Sequence, residues 1–170
     1  MDAKSWGREM ALYHQWKDDK LYAACARLSD DDRREDRGLF FSSIHQTLDH
    51  IYLVSDRLFR YATKGERSGP FDPEKPVFAA FDDLKGATVQ LDKELLMCFD
   101  QHDNRFFAET LPFAAEGVEG VREYPRQLYL MQAFNHATHH RSQVTSELHR
   151  MGVDYGNTDL PFNPISQFAP

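Results

Sequence analysis

Thiols are scarce in this chain. Its two cysteines, Cys25 and Cys98, stand alone with no Cys-x-x-Cys spacing, which excludes a disulfide framework and a thiolate zinc site. Each reads as a small apolar core residue. Long apolar runs are missing too. Nothing approaches the ~20 residues that span a bilayer, and the stretch from Met1 to Glu9 lacks the apolar core of a signal peptide. The expectation is a cytoplasmic protein with no membrane partner. Positive charge is in deficit, 20 basic against 27 acidic residues for a net charge of -7, and the run Asp32-Arg33-Arg34-Glu35-Asp36-Arg37 mixes both signs. This balance opposes binding to nucleic-acid phosphates and leaves a small-molecule substrate as the expected partner. The chain also lacks Glu-x-x-His and His-Glu-x-x-His, which disfavours a carboxylate di-iron site and a zinc-protease site.

What is present is helical periodicity. At 170 residues the chain is long enough for one domain, 1–170, with a continuous core. Residues from Ser5 to Leu28 space Trp6, Met10, Tyr13, Trp16, Leu21, Ala24 and Cys25 as a first amphipathic helix. Ser29-Asp30-Asp31-Asp32 is a turn signal, able to start a short helical turn, and Gly38 punctuates the loop. A second helix runs from Leu39 to about Thr63, with Phe40, Ile44, Ile51, Val54, Leu58 and Ala62 on one face. Asp72-Pro73 resembles an N-cap and first-turn proline for a third helix that reaches Phe99, with Pro76 still tolerated in that turn and Gly86 weakening the middle. Asp103 to Glu123 reads as non-helical, a short β-hairpin or extended excursion built on Phe106-Phe107, Leu111-Pro112-Phe113 and Gly117-Val118-Glu119-Gly120-Val121. Pro125 opens a fourth helix that stops at Gly152, and the tail beyond is draped over the rest. The fold class is all-α, a four-helix bundle.

Three of the eight histidines fall in Asn135-His136-Ala137-Thr138-His139-His140-Arg141-Ser142-Gln143. On a helix His136 and His140 lie about 40° apart and one turn along, so both imidazoles leave one face at the margin of the apolar stripe. The pair reads equally as a two-toothed metal clamp or as half-buried histidines that hydrogen-bond, since zinc-like sites take three or four ligands. His139 points about 60° away. On the second helix His50 has the same marginal placement, whereas His45 falls about 140° round from it and reads as a surface or interface residue.

Thr47-Leu48-Asp49-His50-Ile51, preceded by Phe40-Phe41-Ser42-Ser43-Ile44-His45, together with Asn135-His136-x-x-His139-His140-Arg141-Ser142-Gln143, resembles the DinB family. The similarity runs from Tyr13-x-x-Trp16 through Gly152. It implies a four-helix bundle of unusual connectivity, commonly a homodimer. It also implies a divalent metal held by one histidine of the second helix and two of the last, here His50, His136 and His140. Asp49 stands where the family often has Asn, and Ser142 where it has Gly, and neither departure removes a ligand. DinB-like proteins include transferases and isomerases that use low-molecular-weight thiols, so a thiol is an expected partner.

Three neutral imidazoles leave a divalent ion its full charge and at least one open position, which suits Lewis-acid activation of a water or thiol. The reading is a metal-dependent enzyme of thiol-transferase or hydrolase type. The alternative is a noncatalytic metal-binding bundle with a structural, sensing or interaction role. Zinc, nickel and iron all accept histidine ligands. Gln143, Glu147, Tyr61 and Asp49 are placed as supporting or acid-base groups, with Gln143 best suited to orienting a ligand or a water; no residue is singled out as catalytic.

Overall fold

A computed structural model describes residues 1–69, 72, 75–113 and 120–168. Pro73 and the stretch Gly117-Val118-Glu119, which entered the reading of the third helix and the hairpin, lie outside these residues. Helix α1 covers Ala3–Cys25 and is started by Asp2, whose carboxylate accepts from the Ser5 amide at 2.8 Å. The acidic turn signal becomes a single helical turn, α2 (Asp30–Arg34), closed by a reciprocal capping box between Ser29 and Asp32. Helix α3 spans Ile44–Lys64, from a Ser43 cap to Gly65, which takes the left-handed φ of 72° that glycine adopts without strain. It starts later than its apolar pattern suggests, because Leu39 to Ser42 fold into a tight turn in which Ser42 itself has φ of 61°.

Helix α4 covers Phe81–Gln101, so Pro76, Val77 and Phe78 stand outside it despite their helical spacing. The reason is tertiary. The Asp49 carboxylate accepts from the amides of Val77 and Phe78 at 2.8 and 2.9 Å, and His45 Nε2 donates to the Phe78 carbonyl at 2.8 Å. This use buries His45, at 1% exposure, and corrects its reading as a surface histidine.

The excursion after α4 begins with a helical turn, α5 (Asn104–Ala108), capped by Asp103, where no helix was expected. The hairpin follows as β1 (Thr110–Phe113) and β2 (Arg122–Pro125), antiparallel with Leu111 opposite Tyr124. Helix α6 covers Arg126–Arg150, and Gly152 ends it with φ of 72°. The segment beyond lies along α1 and the turn after it: Tyr13, Lys20 and Arg27, spaced seven apart, donate to the carbonyls of Thr158, Asn157 and Asp154. A short 3₁₀ turn occupies Leu160–Phe162.

The molecule is mostly helical, with six α-helices and one two-stranded sheet among the described residues. None of these helices is long and apolar enough to cross a membrane. Helix α3 packs along α6 and α1 along α4, and α1–α6 and α3–α4 contacts join the two pairs. Arg126 Nη1 donates to the Ala62 carbonyl at 2.6 Å, so the start of α6 meets the end of α3 and the two run antiparallel. Two apolar clusters fill the interior, one around Leu21, Leu48, Leu84 and Leu148, the other around Phe59, Leu95, Phe99 and Phe134. Both cysteines are buried in these clusters.

Candidate functional site

The α3–α6 pairing brings His50, His136 and His140 together. One ring nitrogen of each lies within 4.8 Å of the others, and the Nε2 atoms of His50 and His136 are 3.1 Å apart. His140 Nδ1 donates to Gln143 Oε1 at 2.8 Å, which leaves Nε2 of His140 with its lone pair. The helix phase produces this arrangement: i,i+4 spacing stacks two rings on α6, and antiparallel packing presents the α3 ring from the other side. His139 is exposed and takes no place among the three.

Phe41 roofs the triangle. Its ring stacks on His50 with centroids 3.8 Å apart and lies 5.4 Å from the His140 ring. No periodic signal points to this contact, because Phe41 sits in the tight turn before α3 and owes its direction to the unusual backbone of Ser42. Burial, with a smaller contribution from His140, lowers the pKa of His50 from 6.5 to about 4. Burial and then the neighbouring His140 and His50 rings lower His136 to about 4. His140 is also lowered, mainly by burial, against the opposing hydrogen bond to Gln143. All three rings are therefore neutral near pH 7, the form in which imidazole donates a lone pair.

The other named candidates lie elsewhere. Glu147 is buried but tied to Arg150 at 3.1 Å and Arg37 at 3.4 Å. Tyr61 donates its hydroxyl to the Pro112 carbonyl and packs edge-on against Tyr129. Asp49 is engaged by the Val77 and Phe78 amides. Of the four supporting candidates, only Gln143 bonds a histidine of the triangle.

A second cluster escaped the sequence reading. His14 and Asp18 of α1 and Asp92 of α4 also bring one ligand-type atom each within 4.8 Å, all buried. Arg141 of α6 donates Nη1 to Asp18 Oδ1 at 2.7 Å and Nη2 to His14 Nδ1 at 2.9 Å. A guanidinium only donates, so His14 Nδ1 must accept and the ring proton sits on Nε2, 3.2 Å from Asp18 Oδ2. A protonated nitrogen has no lone pair for a metal. Burial, followed by Arg141, lowers the His14 pKa to about 3, and burial, followed by Asp18, raises Asp92 well above the usual carboxylate range. The cluster is thus an Arg141–Asp18 ion pair flanked by a neutral imidazole and a carboxyl group whose protonated form burial favours. Its signal was available as i,i+4 spacing of His14 and Asp18 on the inward face of α1, but four polar residues spread over three helices share no motif.

The histidine triangle, its carboxamide support and its aromatic roof can be set beside known proteins. No curated protein matches the chain. The model of the DinB family matches residues 1–169, the span that contains every element of this site, and the chain belongs to the DinB family.

Proposed function

We propose that the chain is a divalent-metal-binding, single-domain, four-helix-bundle protein in which His50, His136 and His140 hold the ion. We further propose that it acts as a metal-dependent enzyme of thiol-transferase or hydrolase type. The observation that carries the reading is the convergence of three neutral ring nitrogens from two helices. The donor set fits an ion: nitrogens about 2.0–2.1 Å from a tetrahedral zinc lie about 3.3 Å from each other, close to the 3.1 Å between His50 and His136. Once bound, a divalent cation with three such ligands supplies Lewis-acid activation of a water or a thiol at its remaining position.

The chain's own groups prepare that position. Gln143 fixes the His140 tautomer and the rotation of its ring. Phe41 covers one face of His50 and excludes water from that side. Burial keeps the imidazoles unprotonated, so no positive charge competes with the ion.

Elemental analysis of tag-free protein tests the reading, with His50→Ala and His136→Ala/His140→Ala variants beside the native chain, each checked for helicity. Near-stoichiometric metal in the native protein, absent from both variants with the fold retained, is the expected result. It would be followed by a turnover screen with low-molecular-weight thiols and esters. No metal in any sample after reloading with zinc, nickel and iron would overturn it.

A further inference from the structure

A cleft of about 930 Å³ lies along the same α3–α6 groove. Helix phase ties it to the histidines. Arg57, in its wall, is seven residues beyond His50, within about 20° of the same direction and about 10 Å further along α3. Tyr61, also in the wall, is eleven residues on and again about 20° off. From α6, Gln132 lines the cleft one turn before His136, and Asn135 lines it at the adjoining position. The cleft therefore stops about one helical turn short of the triangle. Phe41, which precedes α3, stacks on His50, whereas the cleft lies along the groove toward the C-terminal end of α3.

The wall is largely aromatic and aliphatic, with Phe113 and Tyr124 of the hairpin facing Tyr61 and Leu58 of α3. Its charged residues are Arg57, Arg67 and Glu66, two cations against one carboxylate in a chain whose net charge is -7. Arg67 is seated against the wall: its guanidinium lies over the Tyr61 ring, 5.7 Å from the centroid, and donates to the Pro112 carbonyl at 3.3 Å. A guanidinium keeps its charge at all ordinary pH and matches carboxylate or phosphate oxygens with paired donors.

We propose that this cleft binds the body of an elongated anionic substrate. Its apolar or aromatic middle lies between Tyr61 and the hairpin, its carboxylate or phosphate lies near Arg57 and Arg67, and its reacting end reaches the histidines. The reacting end rests on the metal-site reading above; the anion subsite does not.

The test is a titration of native protein, with and without zinc, and of His50→Ala, against phenylhexanoate, phenylbutyl phosphate and neutral phenylhexanol. Backbone amide NMR shifts report binding. The better acid is expected to bind about tenfold or more tightly than the alcohol, since a hydrogen bond to a charged group contributes about 1.5–3 kcal/mol; which of the two acids it is identifies the anion as carboxylate or phosphate. Arg57→Gln and Arg67→Gln, at positions outside the buried core, are expected to remove that preference while leaving the alcohol's affinity unchanged. Metal-free protein and His50→Ala that retain the preference would support the subsite even where no ion binds at the histidines. Equal affinity for acid and alcohol, shifts away from Tyr61 and Phe113, or a cleft closed to every probe by a second copy of the chain would overturn it.

Discussion

The hydrogen bond from His140 Nδ1 to Gln143 Oε1 decides which nitrogen of His140 faces its neighbours. Losing such a partner typically weakens metal binding about 10–100-fold. Gln143→Leu is therefore expected to raise the zinc dissociation constant by that factor with helicity unchanged, while Gln143→Glu, which keeps an acceptor, retains most of the affinity; competition with a chelating dye measures both. In the second cluster, two aspartates of the same residue type are expected to behave oppositely. Asp18→Asn takes the counter-charge from Arg141, which is 1% exposed, and breaking a buried pair costs about 3–5 kcal/mol. Burial favours the protonated form of Asp92, and neither of its carboxyl oxygens has a hydrogen-bond partner among the described residues. Asp92→Asn is accordingly expected to be near neutral or stabilising in denaturant titrations at pH 7. At this scale the sequence was legible where helix phase alone places a side chain, as for His136, His140 and Gln143. It was silent where a turn does so, as for Phe41, and where partners come from three helices, as for His14, Asp92 and Arg141.

At the scale of elements, the two helical glycines among the described residues make a contrast. A Cβ on Gly7 would lie 2.0 Å from Cε1 of Phe99, a ring only 2% exposed, so α1 and α4 meet there through the missing side chain. Gly7→Ala is expected to destabilise by about 1–3 kcal/mol, since overpacking outweighs the gain in helix propensity. Gly86, mid-α4 and exposed, has nothing within 4 Å of such a Cβ, and Gly86→Ala is expected to stabilise by about 1 kcal/mol. Urea denaturation of both variants checks the pair. Helix existence was readable from periodicity, and the ends were readable where a glycine sets them, as at Gly65 and Gly152; the start of α3 was not, since the apolar pattern runs back to Leu39 while the cap is Ser43. The start of α4 was not, because the amides of Val77 and Phe78 are taken by Asp49, a partner about thirty residues back that no local pattern reveals. Helix α5 was missed because one turn is too short to show a period.

For the whole molecule, buried neutral histidines couple stability to pH. His50 and His136 fold to pKa values of about 4 and His14 to about 3, each from 6.5. As pH falls below 6.5 the unfolded chain takes up these protons before the folded one, so stability present near neutrality is lost progressively toward pH 4 and below. Asp92 acts in the other direction. Its raised pKa contributes stability that is full at low pH and fades as pH rises through the folded value. Thermal melts of metal-free protein between pH 4 and 8 are expected to show a falling Tm on the acid side, with a steeper fall in Asp92→Asn. A flat profile in both would contradict these assignments. The ionisable groups responsible sit near the seam between the two apolar clusters, where α1, α3, α4 and α6 all contribute one.

The row of donors along α1 and the turn after it has its own consequence. Tyr13, Lys20 and Arg27 grip the segment from Asp154 to Thr158 by its carbonyls, and every amino acid supplies a carbonyl. These three hydrogen bonds are therefore blind to side-chain identity and sensitive to spacing: inserting a residue slides carbonyls off their donors, while Tyr155 is held by its side chain as well, packed against the core. Gly156 adds a constraint of its own. Its φ is 71° and a Cβ would sit 2.9 Å from Lys20 Nζ, so that one position must stay bare for the strap to keep its register.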